Sequence, residues 1–317
     1  MGERSKTIGE IGENIVSNFF KLIGWANSLE NQTLKCMKPQ KHARPESKTG
    51  LRREHGIDFL HSYKSPLESN TVESLIISVK HTEDPYESNP KRTFKNHMTD
   101  LSYSLECYSR SELKAEQLKM FQGANRQKDT GVLFWLSSND ETYDDLVAKL
   151  SNSRIDPDLK FDTIHVVDNK QIGYIYEVMK YLNHQFSDRE VSFYYPETSM
   201  NYADKSISRS GSFLPVEFIT SPVIPFMIEG SSAEELATFC ITSIDEFDED
   251  GLSKLIQAAR EYTHEVKCKY LFLFSNYVES HHKEKVIKAK KLFDGKLSSQ
   301  ISVKSFKPDH RSLNDER

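Results

Sequence analysis

Two apolar runs that carry opposite charges constrain this chain more than any other feature. Ile57-Asp58-Phe59-Leu60 and Leu75-Ile76-Ile77-Ser78-Val79-Lys80 are rich in residues that favour strands, and the polar stretch between them holds Pro66, Ser69 and Asn70. Such runs predict neighbouring antiparallel strands joined by a turn. With the turn centred on Ser69, Asp58 is expected opposite Lys80. Side chains alternate across a strand, so Ser78 and Lys80 share the face of Asp58 while Ile77 and Val79 take the other. A carboxylate and an ammonium among apolar residues cost free energy unless they pair or hold an ion. A structural Asp58–Lys80 ion pair and a face that binds an ion are the two ways to meet that cost.

The segment upstream favours the second. Ile8, Ile11, Ile15, Phe19 and Leu22 recur at helical spacing, and Gly12, Val16, Phe20 and Ile23 widen the stripe into a broad face expected to be buried. At 100° per residue Glu13 falls at the margin of that face, whereas Glu10 projects toward solvent. Glu13 is therefore expected to look into a cleft.

An amphipathic helix bearing Gly9-x-x-x-Glu13, a strand with Gly56-Ile57-Asp58, and a strand ending in Ser78-Val79-Lys80 before a helix together resemble the PD-(D/E)XK nuclease superfamily. The branch it is most similar to contains the Holliday-junction resolvases and Mrr-type restriction endonucleases. The resemblance implies an α/β fold with a restriction-endonuclease-like αβββαβ core and a mixed sheet. It also implies Mg2+ as cofactor, with Mn2+ able to substitute, and hydrolysis of phosphodiester bonds, DNA being the expected substrate. Asp58 and Glu13 take the metal-binding positions, and Lys80 takes that of the catalytic lysine. Ser78 stands where the superfamily has Glu or, in the Mrr branch, Gln. Its neutral hydroxyl removes one charge from the metal set, although magnesium is commonly held by one or two carboxylates together with waters and phosphate oxygens. The alternative expectation is a catalytically weak or inactive nuclease fold that binds or senses nucleic acid for a partner protein. Among relatives of this type the chain is similar to nuclease-like subunits of two-gene bacterial antiphage systems. That similarity implies a second defence-system subunit and an oligomeric assembly.

Composition bounds these expectations. Forty-two Lys and Arg against 47 Asp and Glu give a formal net charge of -5 over 317 residues, so any nucleic-acid-binding surface has to be local. Lys35, Lys38, Lys41, Arg44, Lys48, Arg52 and Arg53 precede the Asp58 strand, and Lys91, Arg92 and Lys95 follow Lys80. Of these, Arg52, Arg53, Lys91 and Arg92 are the candidate phosphate contacts. Cys36, Cys107, Cys240 and Cys268 are widely scattered with no Cys-x-x-Cys pair, which predicts neither a disulfide framework nor a zinc site. No apolar run approaches the ~20 residues that span a bilayer, and no hydrophobic signal core opens the sequence. A cytoplasmic setting without membrane contact is expected. No Gly-rich phosphate loop and no Gly-x-Ser-x-Gly elbow occurs in the required context.

Helical and strand patterns alternate along the rest of the chain: helices over 93–108, 111–126, 143–150 and 171–184, and strands over 131–136, 163–167 and 191–195. Residues 196–213 are rich in Ser, Asn, Asp and Lys and read as a linker. This predicts a nuclease-like domain over 1–195 and a smaller α/β domain over 214–317 with an interaction or oligomerisation role. In that second part the acidic run from Asp245 to Asp250 is expected to cap a helix.

Overall fold

The structure is a computed structural model and describes residues 3–43, 50–139, 145–202, 204–232, 234–263 and 267–307. The chain divides into two compact units, Met1–Ile172 and Gly173–Arg317. The first contains α1 (Glu3–Ile23), β1 (Leu29–Lys35), β2 (Glu54–Lys64), β3 (Thr71–Thr82), α2 (Lys91–Tyr108), α3 (Glu112–Leu118), β4 (Arg126–Ser137), α4 (Leu146–Leu150) and β5 (Thr163–Val167). The division falls inside α5 (Asn169–Gln185). With the short α3 set aside, the run from α1 to β4 is the expected αβββαβ order.

The five strands form one mixed sheet in the order β1-β2-β3-β4-β5. The first two neighbouring pairs are antiparallel and the last two parallel. Alternation along β4 shows how the sheet is covered. Phe134 meets Phe19 and Phe20 of α1 at 6.1 and 5.8 Å between ring centroids. Its neighbours Leu133 and Trp135 lie instead in the core with Phe94, Met98, Leu101 and Leu105 of α2. Helices α1 and α2 therefore cover opposite faces.

Several boundaries differ from the sequence pattern. The buried stripe of α1 runs through Gly12, Val16, Phe19, Phe20 and Ile23, whereas Ile11 and Ile15 are 39 and 40 % exposed. Helix α1 ends where Gly24 adopts φ +80° and the Trp25 amide returns to the Phe20 carbonyl at 2.8 Å, a left-handed stop that glycine makes at little cost. The helix expected over 111–126 is only Glu112–Leu118, because Arg126 already opens β4. The helix expected over 143–150 is Leu146–Leu150, with Tyr143 and Asp144 outside the described residues. Strand β1 has no apolar alternation to announce it; of its residues only Leu34 is buried.

The hairpin register also differs. Strands β2 and β3 pair from Phe59 with Ile77 to Lys64 with Val72, so continuing the register sets Asp58 opposite Ser78 rather than Lys80. The turn is closed by Ser65 and Thr71, with Asn70 at φ +57°, which centres it one residue before Ser69. A register shift of two leaves the alternation along β3 as expected, with Ser78 and Lys80 on one face and Ile77 and Val79 on the other.

The second unit is again α/β. It holds β6 (Val191–Tyr194), β7 (Ser210–Gly211), β8 (Val223–Ile228), β9 (Thr238–Ser243), α6 (Glu249–Tyr262), β10 (Lys269–Phe274), α7 (Glu279–Lys291), α8 (Gly295–Gln300) and β11 (Ile301–Ser305). Its sheet has the order β11-β10-β9-β8-β6-β7. Asp248 caps α6 by accepting from the Gly251 amide at 2.9 Å. A 3-10 turn at Val216–Phe218 precedes β8. Residues 196–213, read as a linker, instead leave and rejoin this sheet. The Tyr195 amide donates to the Arg209 carbonyl at 2.7 Å, β7 pairs with β6, and Asn201 is fully buried while accepting from the Thr198 amide at 2.8 Å. Local turns satisfy the polar side chains that made the segment look like a tether.

Candidate active site

The site begins where β2 and β3 part. Beyond the Phe59–Ile77 pair the Val79 amide donates to Oδ2 of Asp58 at 2.6 Å, so a side chain replaces the backbone partner a ladder would supply. The pleat of β2 breaks at the same point. Ile57 and Leu60 both lie in the core beneath α2, although strict alternation would send residues three apart to opposite faces. Across on β1, Asn31 sits between the partners of Phe59 and Ile57 with φ +52°. Asp58 is thereby held half-buried at an opening in the sheet, with one carboxylate oxygen committed to the backbone and the other available.

Helix α1 delivers Glu13 to this opening, and Gly12 decides how closely. A Cβ at Gly12 would lie 2.5 Å from Cβ of His81 and 3.3 Å from Cγ1 of Val79, so the helix backbone rests directly on β3. His81 fixes the contact by bridging the Ile8 carbonyl at 2.8 Å and Oγ of Ser138 at 2.7 Å. Gly9, the glycine of the Gly-x-x-x-Glu pattern, has nothing within 4 Å of its would-be Cβ. Glu13 is half-buried, and its carboxyl is held above its ordinary value by burial and then by the charges of Asp58 and Glu10, with Lys80 opposing. Glu30 of β1 raises it further and accepts from Oγ of Ser17 at 3.5 Å. The sequence reading did not single out Glu30. Its strand carries no pattern that would place it beside α1.

Lys80 lies on β3 across from Trp135 of β4. His97 of α2 packs edge-on against Trp135, with ring centroids 4.9 Å apart. Burial first and Lys80 second hold the His97 imidazole at about 4, so it stands neutral beside the ammonium near neutral pH. Ser78 is half-buried and aligned with Leu133 of β4. The four residues Glu13, Asp58, Ser78 and Lys80 thus come from α1, β2 and β3 to one end of the first sheet. Asp58 and Lys80 both act electrostatically on Glu13, the first raising and the second lowering its pKa.

The expected phosphate contacts fare differently from one another. Arg52 is engaged by Asp100 of α2 at 2.6 Å and by the Glu54 carbonyl at 3.1 Å. Arg53, Lys91 and Arg92 are exposed. Lys91 and Arg92 open α2, whose first turn has no acidic residue. Arg44 and Lys48 lie outside the described residues.

The αβββαβ order, the mixed sheet and the convergence of a helix glutamate, a strand aspartate and a strand lysine define a nuclease domain of the PD-(D/E)XK class. The chain belongs to the family of GAPS4 protein PD-(D/E)XK nuclease domains, which it matches over residues 1–171, more than half its length. No curated protein and no solved structure matches it. Nucleases of this class typically use divalent metal ions. The donor set fits such an ion: two carboxylates and a hydroxyl, all oxygen, with Glu13 in an environment that resists its negative charge until a cation offsets it. Among the described residues no helix is long and apolar enough to cross a membrane.

Proposed function

We propose that this chain is a Mg2+-dependent nuclease that hydrolyses phosphodiester bonds of DNA and serves in antiphage defence beside a second subunit. The observation that carries the reading is the meeting of Glu13, Asp58 and Lys80 at the opening between β2 and β3. Glu13 and Asp58 would hold the ion, with Ser78 as a neutral neighbour. When bound, Mg2+ supplies polarisation of the phosphodiester and a more acidic water.

The chain's own residues do the rest. The Val79 amide holds Asp58 through Oδ2, which leaves Oδ1 as the oxygen that would meet the ion. The role of Lys80 in this reading is to stabilise the charge that builds on the phosphoryl oxygens, not to remove a proton. Neutral His97 leaves that charge undiluted. Glu10 and Glu30 keep the locality acidic although Ser78 contributes no charge. Lys91, Arg92 and Arg53 are exposed and would contact the nucleic-acid backbone.

Ser78 also favours a second reading, in which the domain binds nucleic acid for its partner without cutting it. Purified protein incubated with linear, circular and single-stranded DNA, and with RNA, in Mg2+, Mn2+ or EDTA separates the two. Metal-dependent cleavage lost in Asp58→Asn and in Lys80→Ala supports the nuclease. Binding without cleavage under every condition supports the second reading and overturns the first.

A further inference from the structure

The chain carries a second metal-type cluster of different chemistry. Cys36 directly follows β1, His42 lies in the β1–β2 connection, His55 is near the start of β2, and Cys107 is in the last turn of α2. All four are buried, at 4, 0, 0 and 0 % exposure. One ligand atom from each lies within 4.8 Å of the other three. The scattered cysteines of the sequence predict no zinc site; the fold overrides that expectation by bringing two of them together with two histidines.

The distances are those of a coordination sphere. Nδ1 of His42 is 3.4 Å from Sγ of Cys36, 3.5 Å from Sγ of Cys107 and 3.4 Å from Nε2 of His55, and that nitrogen is 3.5 Å from Sγ of Cys107. A tetrahedron with Zn–S of about 2.3 Å and Zn–N of about 2.0–2.1 Å has edges of about 3.3–3.8 Å. Hydrogen bonding alone does not account for the arrangement. A ring nitrogen carries one hydrogen or one lone pair, and Nδ1 of His42 faces three neighbours at once. A cation at the centre satisfies all of them.

The surroundings prepare the ligands. Nε2 of His42 donates to Oε2 of Glu106 at 2.9 Å, which puts the ring hydrogen on the outer nitrogen and turns the lone pair of Nδ1 inward, as outer-shell carboxylates do for metal-bound histidines. Glu106 is itself held by Lys38 at 2.5 Å. The Met37 amide donates to Sγ of Cys107 at 3.3 Å, a contact suited to a thiolate. Tyr103 stacks on His42 with centroids 4.0 Å apart. A [2Fe–2S] centre with this ligand set would put the cysteines and histidines on different irons, which the sulfur–nitrogen distances of 3.4–3.5 Å exclude.

We infer that Cys36, His42, His55 and Cys107 form a structural zinc site. Both thiols give up their protons on ligation and the imidazoles bind neutral, so the site carries no net charge and has four protein ligands with no open position. It clips the β1–β2 connection and β2, the strand of Asp58, to the C-terminal end of α2, the helix that follows Lys80.

The test is metal analysis of the full chain expressed with zinc supplementation and dialysed. About one zinc per chain is expected, with X-ray absorption showing two sulfurs at about 2.3 Å and two nitrogens at about 2.0 Å. Cys36→Ser and Cys107→Ser should lower bound zinc at least about tenfold, while Asp58→Asn keeps it. The inference is overturned by wild-type protein that takes up no stoichiometric zinc from an equimolar solution. Zinc retained in Cys107→Ser, or bound zinc with oxygen and nitrogen neighbours only, overturns it equally. Where the cysteine variants do not stay soluble, the absorption spectrum of the wild type decides.

Discussion

Asp58 and His55 lie three residues apart on one strand, yet they belong to two sites built on opposite principles. Around Asp58 the donors are oxygens, half-buried, at a place where the β2–β3 ladder has opened and a carboxylate oxygen is left over. Around His55 they are sulfur and nitrogen, fully buried, each facing its neighbours at 3.4–3.5 Å. A hard cation that must exchange water and meet a phosphate suits the first. A closed site suits a borderline-soft ion that stays. The difference teaches that burial and donor softness, more than the number of acids nearby, separate the proposed catalytic site from the inferred structural one.

The sharpest way to break the comparison is Asp58→Asn. The amide side chain still accepts from the Val79 amide, so the fold and zinc content should persist while cleavage falls by about 10³-fold or more. Equal loss of zinc would show the two sites to be one unit. Cys107→Ser should do the reverse. Loss of the buried site should lower the Tm of the chain by about 10 °C in thermal denaturation, whereas withdrawal of Mg2+ should barely move it.

A smaller effect separates the two glycines of α1. Gly12→Ala forces its methyl against His81 and should cost about 1–3 kcal/mol in chemical denaturation, with a further loss of activity as Glu13 is displaced. Gly9→Ala meets open space and should be neutral or stabilise by up to about 1 kcal/mol. If both behaved alike, the close approach of α1 to β3 would not be what sets Glu13. The least effect is expected on DNA binding. Lys91→Gln and Arg92→Gln should each reduce the slope of log affinity against log salt by about 1, while Arg52→Gln, its charge already matched by Asp100, should leave that slope unchanged.

Much of the first site was legible because it depends on short-range order. A register shift of two preserves the alternation along β3, so placing Asp58 opposite Lys80 rather than Ser78 still left Ser78 and Lys80 on a shared face. Glu13 was legible from helical phase, although the stripe itself was drawn too far toward Ile11 and Ile15, which are exposed. Glu30 and His97 were not legible. One sits on a strand with a single buried residue, the other on a helix whose placement over Trp135 only the sheet order reveals. The buried cluster was least legible of all, since its ligands join segments as distant as 36 and 107 and show no short spacing. Composition misled at 196–213, where polar residues satisfied one another in turns and rejoined a sheet.

Trp135 carries one more consequence. The chain has two tryptophans, and they occupy unlike settings: Trp25 is sealed behind α1 and stacked on His61 at 5.6 Å, while Trp135 stands beside Lys80 and His97. The protein therefore contains its own optical gauge. A cation or phosphate bound next to Lys80 would change the field across the Trp135 indole, so emission recorded in a Trp25→Phe background would report its arrival in real time.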